Sequence, residues 1–156
     1  MTIYAAQTVV SPEKSKAEIE NMLRRYGASG FASGWQGGSS TIIFEHSNRR
    51  VRFNLPEPSI DAFRTIKDSR GYTRKRSEGD ACRAHEQAIR ACWRALALVI
   101  KAKLEAVESG ITTFEEEFLA HIVTPTGTIG EILIPQLEAI RNGAKLPPML
   151  GAGSGR

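Results

Sequence analysis

The side chains of this sequence best equipped for chemistry are cations, and they are concentrated. Between Arg64 and Arg76 the chain carries Arg64, Lys67, Arg70, Arg74, Lys75 and Arg76 against the single acid Asp68, a net charge of +5, while the rest of the 156 residues sums to −1. Guanidinium and ammonium groups gathered this closely bind a polyanion by releasing its condensed counterions. Tyr72, in their midst, offers a ring on which an unpaired base can stack. Gly71 and the lack of periodic hydrophobicity give residues 60–79 the character of a mobile basic loop, not of a strand or helix. The competing use of such a run is a solvated linker. A second array follows, in which Arg83, Arg90, Arg94 and Lys101 recur at intervals of seven, four and seven. On a helix their directions agree to within about 20°, forming one basic stripe. Glu86 and Glu105 on the same segment make its other use a near-neutral solvated face.

Other chemistries find less support in the spacing. His46, His85 and His121 lie far apart and outside any HxxxH or HExxH frame, so no metal site is expected. Glu115, Glu116 and Glu117 sit together, but acids in the first turn of a helix answer to its dipole. Glu45 and Glu131 are the carboxylates that a two-metal nuclease would have to recruit from separate elements. The glycines of GASGFASGWQGG lack the GxxxxGK[ST] frame and lead into a strand, which makes them turn and strand-edge residues. No GxSxG motif is present. Cys82 and Cys92, ten residues apart on one helix, stand roughly 15 Å from each other, too far for a disulfide, and are read as reduced, mostly buried thiols. No cofactor is expected.

The elements that must position these groups are legible in the pattern. Ser11-Pro12 announces a helix, with Ile19, Met22, Leu23 and Tyr26 on one face and Gly27 as its stop. Phe31, Ser33 and Trp35 alternate with smaller residues, Gly37-Gly38 breaks the chain, and Thr41 to Glu45 forms a second run. After Ser47-Asn48, Val51, Phe53 and Leu55 alternate with Arg50, Arg52 and Asn54. Three antiparallel strands are predicted, ended by Pro56 and Pro58. One long helix then runs from Asp80 as N-cap to Ser109-Gly110 without internal proline or glycine. Its apolar arc comprises Ile89, Cys92, Trp93, Leu96, Val99, Ile100, Leu104 and Val107, with His85 and Lys103 inside it. His85 is expected as a satisfied core histidine and Lys103 as a snorkelling one. The helix outreaches three short strands, so its C-terminal half is expected to pack on the final helices or a neighbouring subunit. A capping box, Thr112 to Glu115 or Thr113 to Glu116, starts a short helix bearing Phe114, Phe118, Leu119 and Ile122. Thr124 to Gly127 turns into a last helix through Ile129, Leu133, Leu137 and Ile140, interrupted near Pro135 and stopped at Asn142-Gly143.

The class is therefore α+β: a helix, a three-stranded antiparallel meander, one long helix packed on the sheet, then two short C-terminal helices. Residues 1–143 read as one domain and 144–156 as a flexible tail. With 41% apolar and 24% charged residues, wholesale disorder is excluded. No run approaches eighteen apolar residues and the start has no secretory pattern, so no membrane partner and a cytoplasmic location are expected.

The runs RRYGASGFASGW, RRVRFNLPEP and WRALALVIKAKLEAVESGITTFEEEFLAHIV resemble small proteins of unassigned function encoded by phages and prophages, over most of the chain. That resemblance implies an accessory gene of a mobile element, located in the host cytoplasm, with no catalytic residues to transfer. The element order is similar to the core of Rad52-type and Redβ-like single-strand annealing proteins, in which sheet and long helix line a positively charged groove and subunits assemble into rings or filaments. By position, Arg50 and Arg52 would match basic residues of the hairpin, and Arg90 and Arg94 the basic face of the helix. The chain is short for that family, and double-stranded-RNA-binding domains share the same α-β-β-β-α order.

Together these readings give a non-enzymatic, oligomeric nucleic-acid-binding protein of phage or prophage origin, a single-strand annealing or recombination accessory factor favouring single-stranded DNA. Phosphates would meet Arg70, Arg74, Lys75, Arg76, Arg83, Arg90, Arg94 and Lys101, with Arg50 and Arg52 extending the surface and Trp35 or Tyr72 stacking bases. The alternative is a phage-encoded interaction protein that inhibits or modulates a host protein, its basic run meeting an acidic surface. A third reading is a small metal-dependent nuclease.

Overall fold

The computed structural model describes residues 5–141 and 143. Helix α1, Pro12–Tyr26, starts where Ser11 accepts a hydrogen bond from the Lys14 amide and Pro12 occupies the first turn. It ends at Gly27, whose φ of 94° only glycine adopts without strain, with the Gly27 amide returning to the last turn. Three antiparallel strands follow in order: β1, Gly30–Gln36; β2, Ser39–His46; and β3, Arg49–Pro56. Gly37-Gly38 and Ser47-Asn48 are the two-residue turns, all four with positive φ, the geometry whose twist matches that of paired strands. The register sets Phe31 opposite Phe44 and Phe44 opposite Val51, and Ser33 opposite Ile42 and Ile42 opposite Phe53. One face of β2 and β3 is thereby apolar and buried: Ile42, Phe44, Val51 and Phe53.

Helix α2, Glu78–Glu108, is 31 residues long, about 46 Å at 1.5 Å per residue. Trp93, Leu96, Ala97, Ile100 and Leu104 are buried in one core with Ile19, Met22 and Leu23 of α1 and the apolar sheet face. Helix α3, Phe114–Phe118, completes that core. Its Phe118 ring meets Phe44 at 5.7 Å and Phe53 at 6.2 Å, both edge to face. The capping box forms between Thr113 and Glu116. Near the C-terminal end of α2, Lys103 Nζ donates to the Glu117 carbonyl at 2.7 Å and to its carboxylate at 3.0 Å, so the long helix does pack on a later one. Lys103 is held in place there. His85 Nε2 lies 2.8 Å from the Pro58 carbonyl oxygen, half-buried and satisfied.

Several expectations need correction. The N-cap of α2 is Ser77, three residues before Asp80, because the Ser77 hydroxyl accepts the Asp80 amide at 3.1 Å. Gly79 falls in the first turn, where amide groups have no helical partner to lose. Val99 lies outside the buried stripe and is exposed, and Cys82 and Cys92 are half-buried rather than buried. Residues 60–79 are not a loop. They hold a 3-10 turn, Ile60–Phe63, then a hairpin of β4, Thr65–Lys67, and β5, Thr73–Lys75. After the 3-10 turn Leu119–His121, Ile122 bridges to Val51 and a second small hairpin forms from β6, Val123–Thr124, and β7, Gly127–Thr128. Helix α4, Ile129–Arg141, passes through Pro135 without interruption. Asn142 and the tail from 144 lie outside the described residues. No helix among the described residues is long and apolar enough to cross a membrane.

Candidate nucleic-acid interface

The basic hairpin is built around its one acid. Asp68 Oδ1 accepts the amides of Arg70 and Tyr72, both at 2.9 Å, while the Asp68 amide donates to the Tyr72 carbonyl, and Gly71 supplies the positive φ the tight turn requires. Arg70 and Tyr72 are thus carried at the tip, and Tyr72 is 72% exposed. In the ladder Thr65 faces Lys75, Ile66 faces Arg74 and Lys67 faces Thr73. Lys67 and Lys75 therefore share one face, and Ile66 and Arg74 the other. The hairpin is tied to its surroundings by Arg76, whose amide donates to the Arg64 carbonyl at 2.8 Å and whose guanidinium reaches the Phe63 carbonyl at 3.4 Å.

Beside the hairpin, at the first turns of α2, an open cavity of about 460 Å³ is lined by Arg74, Lys75, Arg76 and Arg83 together with Ile66 and Asp80. Two hydrogen-bond partners, Ser77 first and then Arg83, hold the Asp80 carboxyl below its ordinary range, so it stays ionised. Among the described residues, Lys67, Arg70, Arg74, Lys75 and Arg76 have no carboxylate partner, whereas Arg64 bridges Asp61 at 2.9 Å. Five unpaired cations on one small hairpin are the densest free positive charge in the described structure. Lys67, one of the cations of the basic run read from the sequence, stands among them.

The other predicted contacts do not converge on this site. The stripe on α2 is largely neutralised: Arg83 pairs with Asp80 at 2.6 Å, Arg90 with Glu86 at 3.4 Å, and Arg94 with Glu18 of α1 at 2.5 Å. Arg94 is a strut between helices. Lys101 lies in a separate cleft with Arg25, Tyr26, Glu105 and Glu108. On the sheet, Arg50 pairs with its cross-strand neighbour Glu45. Arg52 grips both oxygens of Glu131, at 2.8 and 2.7 Å, and so anchors α4 instead of extending a phosphate surface. Trp35 is 83% exposed at the C-terminal end of edge strand β1, across from Ser40, whereas Arg50 stands at the opposite end of the sheet. Trp35 occupies the same end as Glu57, whose amide donates to the Gly38 carbonyl just before the chain departs for the basic hairpin.

Glu45 and Glu131, each engaged by its own arginine, are not brought together, and no group of three His, Cys, Asp or Glu side chains among the described residues is placed to hold a metal ion. Comparison with protein-family models, with curated proteins and with solved structures returned no match.

Proposed function

We propose that this protein binds nucleic acid through the β4–β5 hairpin and the adjoining start of α2, as a non-enzymatic accessory factor of strand annealing or recombination of phage or prophage type. The observation that carries the reading is the set of five unpaired cations, Lys67, Arg70, Arg74, Lys75 and Arg76, around an exposed Tyr72. Cations already matched to carboxylates release no net counterions on meeting phosphate, so the hairpin and not the α2 stripe supplies the affinity. Single strands are favoured because their bases are free to stack on Tyr72, and on Trp35 where the strand runs on past the end of the sheet. Sequence preference is slight, since phosphate contacts position the strand without reading it.

Fluorescence anisotropy with labelled single-stranded and duplex DNA tests this at about 50 and 200 mM salt, where phosphate-dominated binding weakens steeply. Salt-sensitive binding that favours the single strand supports the reading. Absence of any shift at either salt overturns it and leaves the hairpin as a surface for an acidic host protein, the alternative that charge complementarity equally allows.

A further inference from the structure

The sheet has two edges, and the chain treats them differently. At the β3 edge stand Arg49, Arg50 and Arg52, Pro56 closes the strand, and Ile122 bridges to Val51. Charge, proline and a covering segment are devices that keep an edge from pairing with another chain. Among the described residues, edge strand β1 has none of them. Gly30–Gln36 reads GFASGWQ, without a charge or a proline, and Ala32 to Gln36 are exposed.

Only half of the β1 backbone is engaged. The two-residue turn Gly37-Gly38 makes Gln36 and Ser39 a hydrogen-bonded pair, and bonded pairs alternate along an antiparallel ladder. Gly30, Ala32, Gly34 and Gln36 therefore turn their N–H and C=O groups to β2, whereas Phe31, Ser33 and Trp35 turn theirs outward. Among the described residues none of these outward donors and acceptors has a partner. Side chains alternate too, so Phe31, Ser33 and Trp35 share the face of Phe44, Ile42 and Ser40. Gly34 has no explanation inside the chain: its φ is not positive, and a Cβ there would meet nothing within 4 Å. Glycine weakens a strand interior, and where no turn or bulge requires it, it marks a close approach by another backbone.

We infer that β1 is a dimer contact, in which β1 of a second copy pairs with it antiparallel about a two-fold axis at Ser33, joining two three-stranded sheets into one. In that register Ser33 faces its own counterpart, and Phe31 of each copy faces Trp35 of the other. All three outward residues then form bonded pairs, two hydrogen bonds to each pair, and a shift of register leaves some unpaired. The resulting six bonds lie within the range of about 10 ± 5 that a typical interface carries. The two Phe31 and Trp35 pairs are cross-strand aromatic contacts that cover a tryptophan otherwise 83% exposed. Ala32 faces Gly34 at the non-bonded pairs, where Cα atoms approach to about 4.5 Å, which gives the missing side chain of Gly34 its use. Aromatic opposite aromatic, small opposite small and no charge to repel its copy favour a second copy over an unrelated extended peptide. Cross-strand rings lie side by side on the sheet, so Trp35 keeps a ring face for a base. Seven residues span only about 24 Å, a narrow contact and hence a reversible one, and an isologous surface closes at two copies.

The inference concerns the free protein, and its test omits nucleic acid, so it stands or falls separately from the proposed function. Sedimentation velocity of the full chain over about 5–200 µM should show a reversible monomer–dimer equilibrium governed by mass action, with no larger species. Amide exchange should slow with concentration at Phe31, Ser33 and Trp35 but not at Ala32 and Gly34, whose N–H groups β2 already holds. Ser33→Pro removes the central outward donor and no bond to β2, and should stay monomeric with unchanged circular dichroism. Ser33→Lys and Ser33→Glu each set like charges face to face at the axis and should weaken association several-fold, while an equal mixture of the two should restore it in a mixed dimer. That pair keeps the test open if proline disturbs the strand. A wild-type protein monomeric throughout, which would leave the edge to an extended segment of another protein, would overturn the inference. So would a folded Ser33→Pro protein that dimerises as the wild type does, or Lys and Glu variants that associate no better mixed than alone.

Discussion

Replacing Arg74, Lys75 and Arg76 together by alanine removes three of the five hairpin cations that lack a carboxylate partner. If each cation meets one phosphate, five contacts to a single strand give a slope of log K against log salt near −3.5, from about −0.7 per phosphate. Raising salt from about 50 to 200 mM should then weaken wild-type binding roughly 130-fold, and the triple variant, with Lys67 and Arg70 left, only about 7-fold at a slope near −1.4. The matched control is Arg50→Ala with Arg90→Ala, whose cations are already paired to Glu45 and Glu86 away from the hairpin. Exposed pairs of this kind contribute little to stability, about 0–1 kcal/mol, so the control should fold normally and keep the wild-type slope. Anisotropy titrations of labelled oligothymidine across four salt concentrations measure all three slopes. A triple variant with the wild-type slope, or a control that loses as much as the triple, would refute the reasoning that unpaired charge locates the interface.

Trp35 and Trp93 differ as 83% and 1% exposed, so single-strand binding should quench only the former, and Trp35→Phe should abolish the quenching; quenching that survives that substitution would exclude Trp35 as a stacking platform. Thr128→Ala removes the cap that Thr128 and Glu131 build for α4 and should cost about 1 kcal/mol, read by urea unfolding, with amide exchange accelerating first in residues 129–134. Burial, then the nearby Lys103 ammonium, hold the His121 imidazole below its ordinary 6.5, opposed by a hydrogen bond to the Arg52 backbone. As pH falls below 6.5 the unfolded chain takes up that proton before the folded one, so stability is complete above 6.5 and declines towards the lower folded value. His121→Phe, which keeps a ring stacked 4.0 Å from Phe53, should flatten the stability profile between about pH 7 and 5; an unaltered profile would assign that decline to another group. Lowered carboxyls such as Glu116 and Glu131 act only below 4.5 and leave this window clear.

Local signals determined the scaffold. Ser11-Pro12 and Gly27 bound α1, the Thr113 and Glu116 box starts α3, and the alternation of Val51, Phe53 and Leu55 with polar neighbours marks β3, because caps and strand periodicity depend on residues a few positions apart. The basic hairpin escaped that logic. Its strands are three residues long and exposed on both faces, so no hydrophobic alternation betrays them, and backbone hydrogen bonds with the Asp68 turn hold them together.

Which cations are free was a tertiary decision. Arg52 and Glu131 are 79 residues apart, and Arg94 and Glu18 are 76 apart, so spacing along the chain carries no trace of either pair. The helical stripe looked continuous because 3.6-residue periodicity sets direction from the axis and says nothing of the element packed opposite. Folding brings α1 and α4 to those arginines and nothing acidic to Lys67, Arg70, Arg74, Lys75 or Arg76 among the described residues.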